Sequence, residues 1–143
     1  MSEPFRLHAT CVALGDVGVL LRGPSGSGKS DLALRLIDGG AELVGDDQVM
    51  VMGGDGLLTA NPHHNIAGQL EVRGLGILTI PHRPIVVIQL VVHLGGDQIE
   101  RLPDPQYEEI QGVRVPSIRL NAFEASAPAK VRLAAGRLAG DSR

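Results

Sequence analysis

The chain has few of the residues on which several classes of protein depend. Its 143 residues include one cysteine, two phenylalanines, one tyrosine and no tryptophan. A single cysteine, Cys11, excludes an intramolecular disulfide and favours a reducing compartment. The scarcity of aromatic rings argues against the base-stacking surface that single-strand nucleic-acid binders use. It also predicts that aliphatic contacts and backbone groups hold any bound nucleotide base.

Strong charge and long apolar runs are also missing. The net charge of −3 gives no basic field for nucleic acid or an anionic membrane surface. The N-terminal stretch MSEPFRLHAT has no apolar core of signal-peptide length. The longest apolar run, residues 85–92, is interrupted by Gln89 and is too short to span a bilayer. We therefore expect one cytoplasmic domain over residues 1–143 that binds neither nucleic acid nor membrane.

The alternation of apolar and glycine-rich segments predicts a single α/β domain with a mixed sheet. Pro116 lies inside one strand candidate, which suggests an edge strand. A predicted hairpin joins residues 49–52 to 57–60, and two further strand candidates, residues 70–72 and 76–80, flank Arg73 and Gly74. The remaining predicted strands are His8–Ala13, Val17–Arg22, Leu43–Val44, Ile85–His93 and Val113–Leu120, and the predicted helices are Lys29–Asp38 and Ala129–Ala139.

Residues 23–30 read GPSGSGKS and match the P-loop pattern of glycine, four residues and Gly-Lys-Ser/Thr. The motif follows an apolar strand and opens an amphipathic helix, as a phosphate-binding loop requires. Glycines let successive N–H groups converge on phosphate oxygens, and the helix dipole favours the same anion. Lys29 can reach the β- and γ-phosphates, and Ser30 can ligate Mg²⁺. The predicted nucleotide-binding residues are Gly23, Pro24, Ser25, Gly26, Ser27, Gly28, Lys29 and Ser30.

Asp46 and Asp47 follow a short strand and are the best candidates for the carboxylates that such a loop needs. One of them can hold Mg²⁺ directly or through water, while the other can accept a proton from an attacking hydroxyl. The alternative interpretation is a solvated Gly-Asp-Asp turn with no catalytic role. The nearby P-loop favours a functional role for the two aspartates.

Other polar residues are less informative from spacing alone. His63 and His64 could suggest a metal, but no cysteine or third ligand lies at a zinc-like interval. His8, Glu71 and Arg101 could each be an ordinary surface or structural residue.

Taken together, these segments resemble the catalytic domain of HPr kinase/phosphorylase. The likeness rests on four blocks in the same order: residues 7–47 with the P-loop and the double aspartate, LEVRGLGIL, IERLPD and KVRLAA. The resemblance implies a P-loop kinase fold related to the phosphoenolpyruvate carboxykinase core. It also implies ATP and Mg²⁺ as cofactors and a seryl residue of the phosphocarrier HPr as acceptor.

The resemblance also implies roles for particular residues. His8, Lys29, Asp47 and Arg101 match active-site positions, with Asp47 as the base. This leaves Asp46 as the aspartate that we expect to bind magnesium. Ser30 and Glu71 match magnesium-binding positions. A reverse phosphorylase reaction and a homo-oligomer are implied as well.

The chain departs from the family pattern in two places. It begins at the catalytic part, so we expect the N-terminal domain of longer members and its regulation to be missing. NAFEASAPAKVRLA replaces the arginine- and glycine-containing segment tied to phosphorylase activity, which favours the kinase reaction. Two alternatives stay open: a small-molecule kinase related to phosphoenolpyruvate carboxykinase, and a non-catalytic nucleotide sensor.

Overall fold

The structure is a computed structural model and describes residues 3–96 and 99–141. Within these ranges two α-helices, α1 (Lys29–Asp38) and α2 (Ala127–Asp141), and a short 3-10 helix at His64–Ile66 accompany a mixed sheet and a separate hairpin. The strands, in chain order, are β1 (Phe5–Leu7), β2 (Thr10–Leu14), β3 (Val17–Arg22), β4 (Glu42–Gly45), β5 (Val49–Gly54), β6 (Leu57–Pro62), β7 (Gln69–Val72), β8 (Gly76–Thr79), β9 (Val86–Leu94), β10 (Gln106–Ile110) and β11 (Val113–Leu120).

Strand β9 organises the main sheet, whose order is β1-β5-β6-β9-β3-β2-β4. On one side β9 pairs in parallel with β3 along most of its length. On the other side its first residues pair antiparallel with β6, and residues 91–94 pair in parallel with β11. The sheet therefore divides at β9 and curls, with the β10–β11 hairpin extending one branch. Among the described residues, strands β7 and β8 pair only with each other.

The main sheet is buried on both faces, which explains its nearly continuous apolar strands. Leu21 and Val92 point toward α1 and α2, whereas their neighbours Leu20 and Val91 pack on the inner face of the curl. All four side chains are fully buried. The two apolar layers hold the carboxyl ends of β3 and β9 side by side, where the glycine-rich loop begins.

The prediction of an α/β fold with a mixed sheet is confirmed. Helix α1 has the predicted bounds, and β3, the hairpin β5–β6 and the strands β7 and β8 lie where the sequence placed them, within one or two residues. Strand β9 is central, as expected for residues 85–93. No helix within the described ranges is long and apolar enough to cross a membrane.

Other element predictions were wrong or incomplete. Strand β2 begins at Thr10 rather than at His8, and α2 begins two residues before the predicted Ala129. Strand β11 is not an edge strand, because it pairs with both β10 and β9. Pro116 lies in the half that pairs with β10 alone, where one side of the strand needs no N–H donor. Strands β1 and β10 were not predicted.

Candidate active site

The glycine-rich loop, residues 23–28, joins β3 to α1. Gly28 precedes the first helical residue with φ +97°, a left-handed conformation that side chains disfavour. A Cβ at Gly28 would lie 2.8 Å from the Cβ of Ala122, so the position also has no space for a side chain. The Gly28 carbonyl accepts the N–H of Leu32 at 2.9 Å and starts the helical ladder. The loop therefore enters α1 by a backbone path that requires glycine.

Two buried polar side chains lie within this loop and its helix start. Lys29 is buried, and its Nζ donates to the carbonyl oxygens of Gly23 at 2.7 Å and Pro24 at 3.2 Å. Ser27 is 7% exposed, and its Oγ has no hydrogen-bond partner among the described residues. A buried hydroxyl without a partner costs free energy, and a phosphate oxygen would satisfy it. This orphaned hydroxyl and the glycine-lined backbone fit the phosphates of a nucleotide.

Asp46 lies at the meeting point of three segments. Its buried carboxylate accepts Ser30 Oγ at 2.6 Å and Thr10 Oγ1 at 2.9 Å on Oδ1. The backbone N–H of Glu71 donates to Oδ2 at 3.1 Å. Hydrogen bonds to a carboxylate are among the stronger ones in proteins. Asp46 thus joins the start of α1, strand β2 and the β7–β8 hairpin.

Asp47 has a contrasting environment. It adopts φ +68°, which is uncommon for a residue with a side chain, and its side chain is 58% exposed. His8 Nε2 lies 2.5 Å from Asp47 Oδ1, and the imidazole is the donor because an ionised carboxylate only accepts. Asp47 Oδ2 has no hydrogen-bond partner among the residues described. One carboxylate oxygen is therefore held by His8, while the other has no partner in the described part of the chain.

Thr10 connects the two aspartates. Its hydroxyl donates to Asp46 Oδ1 and accepts the backbone N–H of Asp47 at 3.1 Å. Thr10 is fully buried. Sequence reasoning missed this residue, although it is the one polar side chain in the buried strand TCVAL. The single hydroxyl fixes the position of Asp47 relative to Asp46.

A second set of contacts, also missed from sequence, lies where β3 and β9 lead into the loop region. Arg22 and His93 are paired positions on these strands. The Glu108 carboxylate accepts from Arg22 Nη1, and its other oxygen lies 2.6 Å from His93 Nε2. Glu108 therefore ties β10 to the strand end from which the loop departs.

The predicted site residues thus fall into two groups. His8, Lys29, Ser30, Asp46 and Asp47 lie around the loop and the hydrogen-bond chain through Thr10. Glu71 joins that chain through its backbone N–H, while its side chain is exposed.

Arg101 lies apart from this chain of contacts. It is exposed, in the segment between β9 and β10, and makes no hydrogen bond or ion pair within the described ranges.

The oxygen atoms of Ser30 and Asp46 are the hard ligands that Mg²⁺ prefers. They adjoin the loop in which the nucleotide phosphates would lie. The donor set therefore fits a magnesium ion shared with phosphate oxygens. Ser30 Oγ and Asp46 Oδ1 would hold it, with the remaining ligands coming from phosphate and water.

Fold and site together define an α/β protein with a glycine-rich loop and a double aspartate at one end of a mixed sheet. The protein-family model described as HPr Serine kinase C-terminal domain matches residues 1–135, and the chain belongs to that family. An HPr kinase/phosphorylase of Streptococcus thermophilus is 35% identical over 133 residues, which cover 84% of this chain and 43% of that protein. The enzyme of the same name from Chlorobium phaeobacteroides is 38% identical over 130 residues, covering 81% and 40%.

A solved structure has the same fold. The Hpr(Ser) kinase/phosphatase from Coxiella burnetii superposes with a TM-score of 0.82 at 24% sequence identity, covering 96% of this chain and 93% of that one. The chain spans less than half the length of the two curated relatives described above.

Proposed function

We propose that the chain is an ATP-dependent protein-serine kinase domain whose acceptor is a seryl residue of HPr or a close paralogue. One observation carries the proposal: Asp46 and Asp47 are adjacent in sequence, yet one is buried against Ser30 and the other is exposed beside His8. Phosphoryl transfer needs a carboxylate for the metal and another for the acceptor hydroxyl. Membership of the HPr serine kinase family favours this function over a small-molecule kinase or a nucleotide sensor.

The donor half of the site would bind ATP through the glycine-rich loop. Backbone N–H groups of residues 23–28 and the N-terminus of α1 would hold the phosphates. Lys29 would turn its ammonium group to the β- and γ-phosphates, and Ser27 Oγ would gain a phosphate partner. Magnesium bound by Ser30 and Asp46 would neutralise charge on the phosphate oxygens.

In the transfer step the acceptor serine gives its proton to Asp47 Oδ2 as its oxygen bonds to the γ-phosphorus. The bond from the γ-phosphorus to the β,γ-bridging oxygen breaks, and ADP leaves. Lys29 stabilises the charge that builds up on the transferred group. His8 acts as a positioning residue, because its hydrogen bond to Oδ1 aims Oδ2 at the acceptor. The exposure of Asp47 suits an acceptor as large as a protein.

The remaining assignments are extensions of this proposal. Arg101 and Glu71 would join the site as a phosphate contact and a magnesium ligand when the acceptor and the nucleotide are in place. The reverse reaction would use inorganic phosphate to attack phosphoserine, with Asp47 returning the proton to the serine oxygen. A homo-oligomer and a single catalytic domain over residues 1–143 are part of the same proposal.

Label transfer tests this function. Purified protein, Mg²⁺ and γ-labelled ATP are incubated with HPr, and phosphoserine is located by peptide mapping. We expect label on one seryl residue and a loss of about 10²- to 10⁴-fold in rate for Asp47→Asn, the usual contribution of a general base. Asp55→Asn is the matched control, since Asp55 is also an aspartate at positive φ, in the β5–β6 turn.

Each outcome decides a separate point. Absence of label on HPr in the wild type would overturn the proposed acceptor. Equal rates for Asp47→Asn, Asp55→Asn and wild type would remove Asp47 as the base.

A further inference from the structure

A cavity of about 440 Å³ opens beside the glycine-rich loop, and no residue of the double aspartate's hydrogen-bond chain lines it. It is lined by the loop itself, residues 24–27, and by residues 120, 121 and 123. Gly95, Gly96 and Ile99 also line the cavity. This volume lies within the usual range of about 300–1,000 Å³ for small-molecule sites. The loop residues are shared with the phosphate site, whereas the other residues that line the cavity have no role in the chemistry described above.

Phe123 is one of the residues that line this cavity. It is 66% exposed, more than either of the other aromatic residues, Phe5 and Tyr107, which are each 49% exposed. The ring nevertheless touches the loop: a Cβ at Gly28 would lie 3.2 Å from it. An aromatic ring that is fixed against the loop and open to solvent offers a face to a planar ligand.

The segment that carries Phe123 is held in place by α1. Arg35 donates from Nη2 to the Ala122 carbonyl and from Nη1 to the Glu124 carbonyl, the latter at 3.3 Å. The Phe123 N–H donates to Asn121 Oδ1 at 3.0 Å. Ala122 is buried in the core between these contacts. The position of the ring is thus coupled to the helix that begins at Lys29.

The cavity also has a polar group without a partner. Ser27, which is more than nine-tenths buried, lines it and has the orphaned Oγ described above. The amide nitrogen of Asn121 likewise makes no hydrogen bond in the described part of the chain, and its residue lines the cavity too. The Asn121 amide and the Phe123 ring match a nucleoside, whose own phosphates would reach the Ser27 hydroxyl in the loop.

We infer that this cavity is the nucleoside subsite, with the base stacked on Phe123 and the ribose near Asn121. The inference rests on the proposed function, because it needs a nucleotide whose phosphates lie in residues 23–30. It replaces the expectation from composition that only aliphatic and backbone groups hold the base. Since stacking is available to every base, the subsite favours nucleoside triphosphates over inorganic polyphosphates without selecting strongly between ATP and GTP.

Calorimetric binding of ATP, GTP and inorganic tripolyphosphate tests the subsite without measuring catalysis. All three ligands place phosphates in the loop, but only the nucleotides carry a base. We expect Phe123→Leu to weaken ATP and GTP binding by about 5- to 100-fold, the range that base–aromatic stacking gives. Tripolyphosphate affinity should stay within about twofold, and Phe123→Trp should restore nucleotide binding. Tyr107→Leu is the matched control, since Tyr107 is a half-exposed aromatic outside the cavity lining.

The results separate this inference from the proposed function. If wild-type protein binds tripolyphosphate as tightly as ATP, or if Phe123→Leu weakens all ligands equally, the subsite is refuted while phosphate binding stands. If Phe123→Leu leaves ATP affinity unchanged, the stacking assignment is refuted in the same way. If the wild type binds no phosphate ligand at all, the proposed function fails first.

Discussion

Replacing Thr10 by valine should show how strongly the double aspartate depends on a single hydroxyl group. Valine has nearly the shape of threonine, and Thr10 is fully buried in β2, so the change removes a hydroxyl while retaining most of the packing. The lost hydroxyl has two partners, the carboxylate of Asp46 and the N–H of Asp47. Both aspartates are therefore affected by one atom.

The expected cost follows from these two contacts. A hydrogen bond to a charged group contributes about 1.5–3 kcal/mol, and an unsatisfied buried partner costs about 1–3 kcal/mol. The Asp47 N–H can recover part of its loss from water, because the residue is exposed. We therefore expect the free energy of unfolding to fall by about 2–4 kcal/mol. Label transfer to the acceptor should fall as well, because Asp47 loses the contact that fixes its backbone.

Urea denaturation gives the stability, with the m-value checked for constancy. The matched control is Thr59→Val, where the hydroxyl donates only to the neutral carbonyl of Met52 at 3.3 Å. That variant should lose about 0.5–1.5 kcal/mol. If Thr10→Val and Thr59→Val lose the same stability within about 0.5 kcal/mol, the larger role given to the Thr10 hydroxyl is wrong.

Two further outcomes follow from backbone geometry and burial. Gly28→Ala should destabilise the protein by about 2–4 kcal/mol and abolish ATP binding, because positive φ and the close Ala122 both oppose a side chain. Gly136→Ala, in α2 with open space around it, should instead be neutral or stabilising by up to about 1 kcal/mol, and equal effects would contradict this account. Burial raises the pKa of the Cys11 thiol. Above about pH 8.5 the thiol therefore ionises in the unfolded chain but not in the folded protein. Stability should fall there by about 1.4 kcal/mol per pH unit from this group, and Cys11→Ala, compared by urea titration at pH 8 and pH 10, should show a shallower fall; identical slopes would refute the assignment.

The parts of the fold that could be predicted are those whose signals are local. Helix α1 has an apolar face and a glycine stop at Gly39, and its predicted bounds were right. The β5–β6 hairpin has two apolar strands around a glycine-rich turn. In each case a few neighbouring residues contain the whole pattern, so no tertiary contact was needed to recognise it.

The parts that were missed depend on distant contacts. Strand β10, with the sequence QYEEI, is mostly exposed and polar, and its pairing with β11 and the Glu108 contacts give it a place in the sheet. Strand β1 has three residues and exists as a partner of β5.

The same limit applies to the candidate site. The adjacent Asp46 and Asp47 could be proposed as a pair from sequence, but their division into buried and exposed carboxylates depends on Thr10, which is 36 residues from Asp46. The position of Phe123 depends on Arg35, 87 residues from Ala122. Apolar periodicity says nothing about such links.

The central claim is that the two adjacent aspartates have different tasks, and one paired measurement tests it most directly. Single-turnover transfer of label to HPr and Mg²⁺-dependent ATP affinity are measured for Asp46→Asn and Asp47→Asn. We expect Asp47→Asn to keep ATP affinity within about threefold while its transfer rate falls by about 10²-fold or more. Asp46→Asn should lose the magnesium dependence of ATP binding. Full transfer in Asp47→Asn, or unchanged magnesium dependence in Asp46→Asn, would contradict the division of tasks.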